Sequence, residues 1–462
     1  MSNLYKRLWD VCRCQAGFPL RLVHRCKSAA AAASVSVQPE FLGGNPHRKH
    51  PGVTNLKTLR LPRPLQTGAL SLIHKSEVKD LAERAHRLTN FLWSRKRAVE
   101  TQELRERAAA LEKQWMEKEN EPQRDEDEVL FEARIRTKVL AELKRTTYHW
   151  TPLKYDADLG VVYMAARLAG GYAAVLRALH EIKKRDPAFA PRSLLDFGSG
   201  LGTVLWASHE LWGDSINEHV CVDASGAMNT LAERLLTEGG GGEDPHIQHV
   251  YFRQFLPVSP KVQSDLVTAA FSLSELTTQK DREDTVLTLW RKTHNYLVLV
   301  ENGTKEGHQI LMEARDLLLK REDRVTHDDR RPVIFAPCTH ELPCPKLLKE
   351  SVVPCNFLQP HYPLPVPGSG DPVREKFSYL VVSRAQEQDS EGRVRWGRLI
   401  SPVHRRPRHV QCQICCSTGE LQQLAVTARH HGRDAYRCAR SSDWGDRLPL
   451  VHTGEQNLHT DD

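Results

Sequence analysis

The segment Leu194-Leu-Asp-Phe-Gly-Ser-Gly-Leu-Gly-Thr203 decides the fold prediction for this chain. An apolar strand pattern leads into it, glycines stand at 198, 200 and 202, and a helical pattern begins at Thr203. Glycines at a strand-to-helix turn let the backbone approach a ligand closely, and the helix N-terminus offers unpaired amide donors. The segment therefore predicts a nucleotide-binding turn in an α/β domain.

An acidic residue further along the chain strengthens this prediction. Asp223 stands 21 residues after Gly202, at the end of the next predicted strand. A carboxylate in that position can accept hydrogen bonds from both hydroxyls of a ribose, so the expected ligand contains a nucleoside. The candidate cofactor-binding residues are Asp196, Gly198, Gly200, Gly202 and Asp223.

Strand and helix patterns alternate outward from the glycine segment. The predicted strands are 194–197, 219–222, 250–252, 266–271, 296–300 and 377–383. Such alternation predicts a parallel sheet with helices on both faces. A helical, densely charged stretch precedes this part, and the composition shifts to Pro, Cys, His and Arg after Arg331.

These shifts predict five regions in the chain of 462 residues. They are a mitochondrial transit peptide at 1–36, a helical region at 37–150, a Rossmann-like domain at 151–330, a Cys-rich region at 331–452 and a disordered tail at 453–462.

The net charge of +7 is concentrated at the N-terminus, where residues 1–39 hold six Lys or Arg against Asp10 alone. The charge of the whole chain therefore says little about partners. The basic, acid-poor start and the Ala/Ser run from Ser28 to Ser36 are typical of a mitochondrial transit peptide, with an ordinary basic tail as the alternative. No run of about eighteen apolar residues predicts a membrane-spanning helix. The eleven cysteines, without a secretory signal, are expected to be reduced.

Four cysteines of the C-terminal third, Cys338, Cys344, Cys355 and Cys412, predict a metal or cluster site. The first three are separated by five and ten residues in a stretch broken by prolines, which suits a ligand loop. Four thiolates can hold tetrahedral zinc or an iron–sulfur cluster. Spacing alone does not decide between these two, although the wide gaps favour iron–sulfur over paired zinc knuckles. Buried thiols without a metal are the third alternative.

The segment between Gly392 and Glu420 predicts RNA binding. It contains six arginines, one tryptophan and two histidines without an acidic residue. Guanidinium groups pair with phosphates and aromatic rings stack on bases, and no DNA-reading helix motif is apparent. A solvated charged surface is the alternative. The candidate RNA-binding residues are Arg393, Arg395, Trp396, Arg398, Arg405, Arg406 and Arg408.

The run Asp-Phe-Gly-Ser-Gly-Leu-Gly at 196–202 resembles the first motif of class I S-adenosylmethionine-dependent methyltransferases. The resemblance implies a Rossmann-like, doubly wound sheet, with the glycines around the amino-acid part of the cofactor and Asp223 at its ribose. Amino-group methyltransferases of that superfamily carry an Asn/Asp-Pro-Pro-aromatic motif after the fourth strand, where this chain has Phe271-Ser-Leu-Ser-Glu-Leu276. That motif is missing, so no catalytic residue is predicted.

A wider set of motifs resembles the methyltransferase-like assembly factors of the mitochondrial ribosomal small subunit. The motifs are Tyr163-Met-Ala-Ala-Arg-Leu168, the glycine segment, Val300-Glu-Asn-Gly-Thr304, the block from Cys338 to Cys355, Arg408-His-Val-Gln-Cys412 and Ser442-Asp-Trp-Gly-Asp446. The resemblance implies a [4Fe-4S] cluster held by Cys338, Cys344, Cys355 and Cys412, with Cys415 and Cys416 not ligands. It also implies a protein of the mitochondrial matrix that keeps the cofactor fold and has lost methyl transfer.

The sequence and this resemblance together predict a maturation factor for the mitochondrial small subunit, required for mitochondrial translation. Its expected partners are small-subunit rRNA and assembly intermediates, and its expected cofactors are a [4Fe-4S] cluster and S-adenosylmethionine. Two alternatives stay open: an active S-adenosylmethionine-dependent rRNA methyltransferase, and a zinc-ribbon interaction module.

Overall fold

Eight strands form the central sheet of this computed structural model. The structure describes residues 35–37, 41–119, 128–148, 150–237, 244–259, 261–320, 330–349, 353–366, 370–385 and 396–452. Apart from residues 35 and 36, the predicted transit peptide lies outside the described residues, and so does the predicted tail. Everything below concerns the unit Ser36–His452.

The strands of the central sheet follow one another along the middle of the chain, after a short first strand β1 (Val35–Val37). They are β2 (Ser193–Phe197), β3 (Glu218–Val222), β4 (Val250–Arg253), β5 (Ser264–Ala270), β6 (Thr293–Asn302), β7 (Arg331–Ala336), β8 (Phe357–His361) and β9 (Val373–Ala385).

The order of the strands is β4-β3-β2-β5-β6-β9-β7, with β8 also paired to β9. Strands β2 to β6 run parallel to one another, whereas β9 is antiparallel to β6, β7 and β8. The order reverses between β2 and β5, which is the position where open α/β sheets bind ligands beyond the carboxyl ends of their strands. The sheet order confirms the predicted Rossmann-like α/β fold.

The helices are arranged before, between and after these strands. They are α1 (Arg63–Lys75), α2 (Leu81–Ser94), α3 (Thr101–Glu119), α4 (Glu128–Thr146), α5 (Ala157–Arg185), α6 (Thr203–Trp212), α7 (Gly226–Thr237), α8 (Gln279–Arg291), α9 (Lys305–Lys320), α10 (Pro345–Leu348) and α11 (Ala428–Ser441).

Helices cover both faces of the sheet, and adjacent residues of one strand enter different cores. Leu194 packs into the core under α1, α5, α6 and α7, while Leu195 packs into the core under α8 and α9. This follows from the two-residue period of a strand, which points successive side chains to opposite faces. Burial on both faces explains why these strands read as apolar runs.

Helix α5 is buried on nearly all sides. Among the described residues it is the helix long and apolar enough to cross a membrane, but 78% of its apolar window is buried inside the protein. It lies against α6, β8 and β9. Its hydropathy is that of a core helix.

The C-terminal residues build a second, antiparallel sheet. Its strands are β10 (Gly397–Leu399), β11 (His404–Arg405), β12 (Val410–Cys415), β13 (Leu421–Val426) and β14 (Arg447–Leu448), followed by the short strand β15 (Leu450–His452). Helix α11 packs on β12 and β13.

The predicted domain boundary at residue 331 falls inside the fold. Strands β7 and β9, which come after that position, are members of the central sheet. The change in composition therefore reflects the residues of the loops after position 331, and the central sheet continues beyond that position. Hydrogen bonding of β9 to β6 over seven residue pairs joins the later region to the parallel strands.

A buried ion network joins the two sheets. Glu181 of α5 is fully buried and accepts a hydrogen bond of 2.6 Å from Nη1 of Arg398 in β10. Arg177 also contacts this carboxylate, at 3.3 Å, and the Tyr379 hydroxyl donates to it at 2.9 Å. Burial opposes the ionisation of Glu181, but the guanidinium groups of Arg398 and Arg177 outweigh it and hold its pKa well below the usual range.

Replacing Glu181 with leucine is expected to destabilise the whole unit, because Arg398 and Arg177 would remain buried without their counter-charge. Breaking one partner of such a pair costs about 3–5 kcal/mol of the free energy of unfolding. Urea unfolding followed by circular dichroism measures this change.

The matched control is Glu83→Leu, since Glu83 pairs with Arg87 on an exposed helix surface. The triple variant Glu181→Leu/Arg177→Met/Arg398→Met removes the carboxylate and both buried guanidinium groups, and it should recover much of the stability. A destabilisation in the Glu181 variant no larger than in the control would show that the network does not hold the sheets together.

Candidate functional site

A cavity of about 750 Å³ opens beyond the carboxyl ends of β2, β3 and β5. Gly198, Gly200 and Asp223 line it, together with Tyr155 and Tyr163. The volume is within the range of small-molecule sites. The predicted nucleotide-binding turn therefore borders a cavity of suitable size at the switch point of the sheet.

The glycine turn needs its glycines for two different reasons. Gly198, Gly200 and Gly202 all have positive φ values, of +69°, +51° and +76°, which side-chain-bearing residues rarely adopt. At Gly198 a Cβ atom would also lie 2.1 Å from Oγ of Ser272. At Gly200 the nearest atom, Cε of Met228, would be 3.6 Å away, an ordinary van der Waals contact, so a Cβ atom would fit beside this residue at the cavity wall.

Asp223 holds the turn in place. Its Oδ2 accepts a hydrogen bond from the Gly200 amide, and its Oδ1 accepts one from the Ser225 amide, both at 2.9 Å. Burial raises the pKa of this carboxyl, while the two amide donors act in the opposite direction. The side chain thus fixes the glycine turn to the end of β3 at the cavity wall.

Two of the five predicted cofactor residues do not line the cavity. Gly202 is the N-cap of α6. Asp196 is fully buried in β2, where one oxygen accepts a hydrogen bond of 2.8 Å from Thr268 and Oδ2 has no hydrogen-bond partner. Burial raises the pKa of Asp196 to about 7. Asp196 therefore lies behind the glycine turn, and it comes one position before the residues of this segment that line the cavity.

A smaller pocket adjoins this cavity and shares Tyr155, Tyr163 and Glu275 with it, and residues within the range 92–97 at the end of α2 line that pocket. Nη1 of Arg95 lies 2.5 Å from Oε2 of Glu275, and its Nη2 donates to the Thr151 carbonyl at 3.0 Å. Arg97 pairs with Glu306 at 2.8 Å and with Glu313 at 2.6 Å. These pairs hold the end of the helix beside Glu275, which lines both the cofactor cavity and the smaller pocket.

Sequence analysis did not identify these arginines. Their carboxylate partners lie about 180 to 220 positions further along the chain, so no local motif marks them. The basic triplet at 95–97 was the available signal, but a charged triplet on a helix end is usually solvated surface.

Four thiols line a second, apolar cavity between the central sheet and the C-terminal sheet. They belong to Cys338, Cys344, Cys355 and Cys415. Burial raises the pKa of Cys338 to about 11 and that of Cys355 to about 12, and it raises the pKa of Cys415 as well. For Cys355 and Cys415 the neighbouring thiols act in the same direction.

Two histidines and two cations surround these thiols. Sγ of Cys415 lies 3.4 Å from Nε2 of His340, and Sγ of Cys344 lies 3.8 Å from Nε2 of His308. Arg398 and Lys346 also line the cavity. As placed, no group of three or more His, Cys, Asp or Glu side chains in the described part of the chain is arranged to hold a metal ion.

The structure brings Cys338, Cys344 and Cys355 together as predicted but does not bring Cys412 to them, and Cys415 lines the cavity beside them. Cys412 and Cys415 stand three residues apart on β12 and therefore point to opposite faces of the sheet. Cys412 is buried with Val410 and Ile414, and its charged neighbour is Arg405. The alternation of a strand was the sequence signal that could have separated the two cysteines.

The predicted RNA-binding residues divide into buried and exposed groups. Arg398 is 2% exposed and paired with Glu181, and Trp396 is 7% exposed, so this structure does not present either side chain at the surface for RNA. Arg393 and Arg395 lie outside the described residues. Arg405, Arg406 and Arg408 are exposed on the turn between β11 and β12.

The exposed arginines of this turn continue onto α11. Nη1 of Arg440 donates to the Arg406 carbonyl at 2.8 Å, and the Tyr436 hydroxyl donates to the Pro407 carbonyl at 3.3 Å. We call the exposed arginines of the turn and the helix the basic surface; they are Arg405, Arg406, Arg408, Arg429, Arg433, Arg437 and Arg440. Asp434 is the acidic residue among them and pairs with His47 at 2.8 Å.

Comparison with known families gives one match that spans most of the fold. Residues 157–449 match the family model described as mitochondrial small ribosomal subunit Rsm22. The matched range begins with α5 and extends through β14, so it contains most of the lining of both cavities and the whole basic surface.

Two curated proteins illustrate the range of similarity. The chain is 50% identical over 411 residues to the human mitochondrial ribosome assembly protein METTL17, covering 89% of this chain and 87% of that protein. It is 26% identical over 325 residues to Rsm22-cox11 tandem protein 2 of Schizosaccharomyces pombe, covering 63% of this chain and 43% of that protein.

Among solved structures, the chain is similar to an S-adenosylmethionine-dependent methyltransferase from Aquifex aeolicus. The identity is 14%, the TM-score is 0.28, and the match covers 50% of this chain and all of the other. The fold assignment rests on the strand order described above.

Proposed function

The chain belongs to the Rsm22 family of the mitochondrial small ribosomal subunit, and from this membership we propose that it assembles that subunit in the mitochondrial matrix. The proposed activity is binding of small-subunit rRNA during maturation, without methyl transfer. The observation that carries the RNA-binding part is the basic surface, where seven arginines of one turn and one helix are exposed.

The chemistry around the cofactor cavity supports a scaffold over an enzyme. A methyl transfer to nitrogen or oxygen is assisted by a group that accepts a proton near neutral pH. Glu275, a carboxylate of the cavity lining, is paired with Arg95. Burial raises the pKa of Tyr155 far above the usual range and that of Tyr163 to about 12, so neither hydroxyl is poised as a base.

The cavity nevertheless fits S-adenosylmethionine. Gly200 leaves open space at the wall, Asp223 presents its carboxylate there, and Oδ2 of Asp196 is a buried acceptor without a partner behind the turn. A bound cofactor would supply an activated methyl group, with Gly198, Gly200 and Asp223 beside it. In the proposed function these residues serve stability, because a ligand that binds only the folded state shifts unfolding by mass action.

The thiol cavity fits a [4Fe-4S] cluster in the chemistry of its donors. Cys338, Cys344, Cys355 and Cys415 supply four thiols to one buried cavity with no acidic residue among its lining side chains. Thiols with raised pKa values stay protonated at neutral pH, whereas a coordinating metal deprotonates them. The cluster would connect the loop that holds Cys338 and Cys344 to β12 and so stabilise the C-terminal sheet that carries the basic surface.

Metal analysis of the chain purified without oxygen tests the cluster. About four irons and four acid-labile sulfides per chain are expected. Cys415→Ser should lower both contents sharply, because it removes a thiol from the cavity, while Cys412→Ser, the matched control on the other face of β12, should leave them unchanged.

The opposite result, loss of iron in Cys412→Ser alone, would overturn the assignment of Cys415. About one zinc per chain without sulfide would replace the cluster with a zinc site.

Neutralising the turn of the basic surface tests RNA binding. The triple variant Arg405→Ala/Arg406→Ala/Arg408→Ala is expected to weaken binding to a small-subunit rRNA fragment. It should also reduce the slope of log affinity against log salt by about 0.7 for each phosphate that an arginine no longer neutralises. Fluorescence anisotropy at several salt concentrations measures both quantities.

The control for net charge is Arg87→Ala/Arg105→Ala/Lys113→Ala, which removes three exposed cations from α2 and α3. Equal weakening in the two triple variants would mean that RNA binding follows total charge and does not use the basic surface.

A variant that fills the cofactor cavity tests whether the protein acts as a scaffold or as an enzyme. Gly200→Arg fills the open space at the wall, and Gly200→Ala controls for the positive φ of that position. In cells that depend on the variant, every methyl mark of the small-subunit rRNA is expected to persist, as measured by mass spectrometry of rRNA digests.

Disappearance of one mark in Gly200→Arg, with normal particle levels and with the mark present in Gly200→Ala, would establish the enzyme in place of the scaffold.

A further inference from the structure

Two exposed aromatic side chains lie four residues apart, one in the edge strand β4 of the central sheet and one just after it. Tyr251 is 48% exposed and Phe255 is 80% exposed. Among the large hydrophobic side chains that are exposed in the described part of the chain, these are the two aromatic ones. Aromatic rings of this size normally bury most of their surface, so a pair left in solvent indicates a binding surface.

The geometry of β4 places an arginine between the rings in the sequence. Side chains alternate along this strand, with Tyr251 and Arg253 exposed while Val250 and Phe252 are partly buried. Since a strand rises about 3.3 Å per residue, Tyr251 and Arg253 are separated by about 7 Å on one face. Phe255 follows two positions later, in the bend after the strand. Ring, guanidinium and ring thus follow one another along an exposed stretch of chain.

This stretch lies at an edge that the fold leaves open. Strand β4 is the outermost strand of the sheet and pairs on one side, with β3. The loop that follows adds the exposed cation Lys261 and the almost fully exposed Val258. An open strand edge that carries aromatic side chains favours aggregation unless it is charged or covered.

We propose that Tyr251, Arg253 and Phe255 form a stacking surface for single-stranded RNA. The inference rests on the proposed RNA-binding function and adds a second contact, on the outer edge of the central sheet. Bases stack on the two rings, which tolerate any sequence because every base has a π face, and the guanidinium of Arg253 pairs with a phosphate between them. The positive charges of Arg253 and Lys261 suit a polyanion and disfavour a purely apolar partner.

One competing role involves Phe255 alone. Phe255 and Leu256 line the cofactor cavity, so this ring could instead form the wall beside a bound nucleoside. Tyr251 does not line that cavity. If the two rings form a stacking surface, both contribute to RNA binding. If the competing role is correct, only Phe255 contributes, and it contributes to cofactor binding.

The test measures binding of fluorescent single-stranded oligouridine to the full chain. Tyr251→Ala and Phe255→Ala are each expected to weaken binding roughly ten-fold, the size of effect that removal of one stacked base gives. Tyr251→Phe keeps the ring and should bind as the unchanged protein does. Val258→Ala, which changes an exposed aliphatic side chain in the same region, is the matched control and should have no effect.

Two further measurements separate the outcomes. Ultraviolet crosslinking should join oligouridine to the peptide that holds Tyr251 and Phe255, and binding of S-adenosylhomocysteine should be unchanged in Tyr251→Ala. If both alanine variants bind oligouridine normally while the triple variant of the basic surface does not, the stacking surface is overturned and the proposed RNA binding stands. If Phe255→Ala weakens only S-adenosylhomocysteine binding, the ring is a cavity wall and the inference is also overturned.

Discussion

The charge of Glu181 must be neutralised inside the protein, and that requirement links most of the structure. This carboxylate lies in the core helix α5, where it is fully buried. An isolated ion in such a place is strongly destabilising, so the stability of the folded core depends on its partners. The partner from β10, Arg398, also donates from Nε to the Pro337 carbonyl and from Nη1 to the Gly445 carbonyl. One guanidinium therefore connects α5, the loop before Cys338 and the end of the C-terminal sheet.

This connection explains why the C-terminal region is not an independent domain. Its sheet supplies the counter-charge for the core helix, and the central sheet in turn takes up β7, β8 and β9. Strand β12 begins after the turn of the basic surface and ends at Cys415, which lines the thiol cavity. Any ligand that orders the thiol cavity acts on the same strand that positions the arginines. The proposed cluster and the proposed RNA surface are thus coupled through one strand.

The parts of this fold that could be predicted from the sequence are those governed by local pattern. The strands from β2 to β6 and the helix beginning at Thr203 follow from apolar periodicity and from the glycine turn, both of which are visible within about ten residues. Most of the features that the sequence did not predict have one physical cause in common. The burial of Arg398 and the pairing of Arg95 with Glu275 depend on partners far along the chain. Cys412 was chosen over Cys415 from the resemblance to a family motif, and the two-residue period of a strand separates these two cysteines.

Ion pairs restrain the segment that follows α2 beside the lining of the cofactor cavity. The pairs of Arg95 with Glu275 and of Arg97 with Glu306 and Glu313 fasten the end of α2 to the strand ends and to α9. Arg95 is almost fully buried, so separating its pair would leave a buried charge without a partner. Moving this segment away from Glu275 would therefore cost stability. In the proposed scaffold, this restraint and a bound cofactor would act together, because a ligand that binds only the folded state adds to its stability.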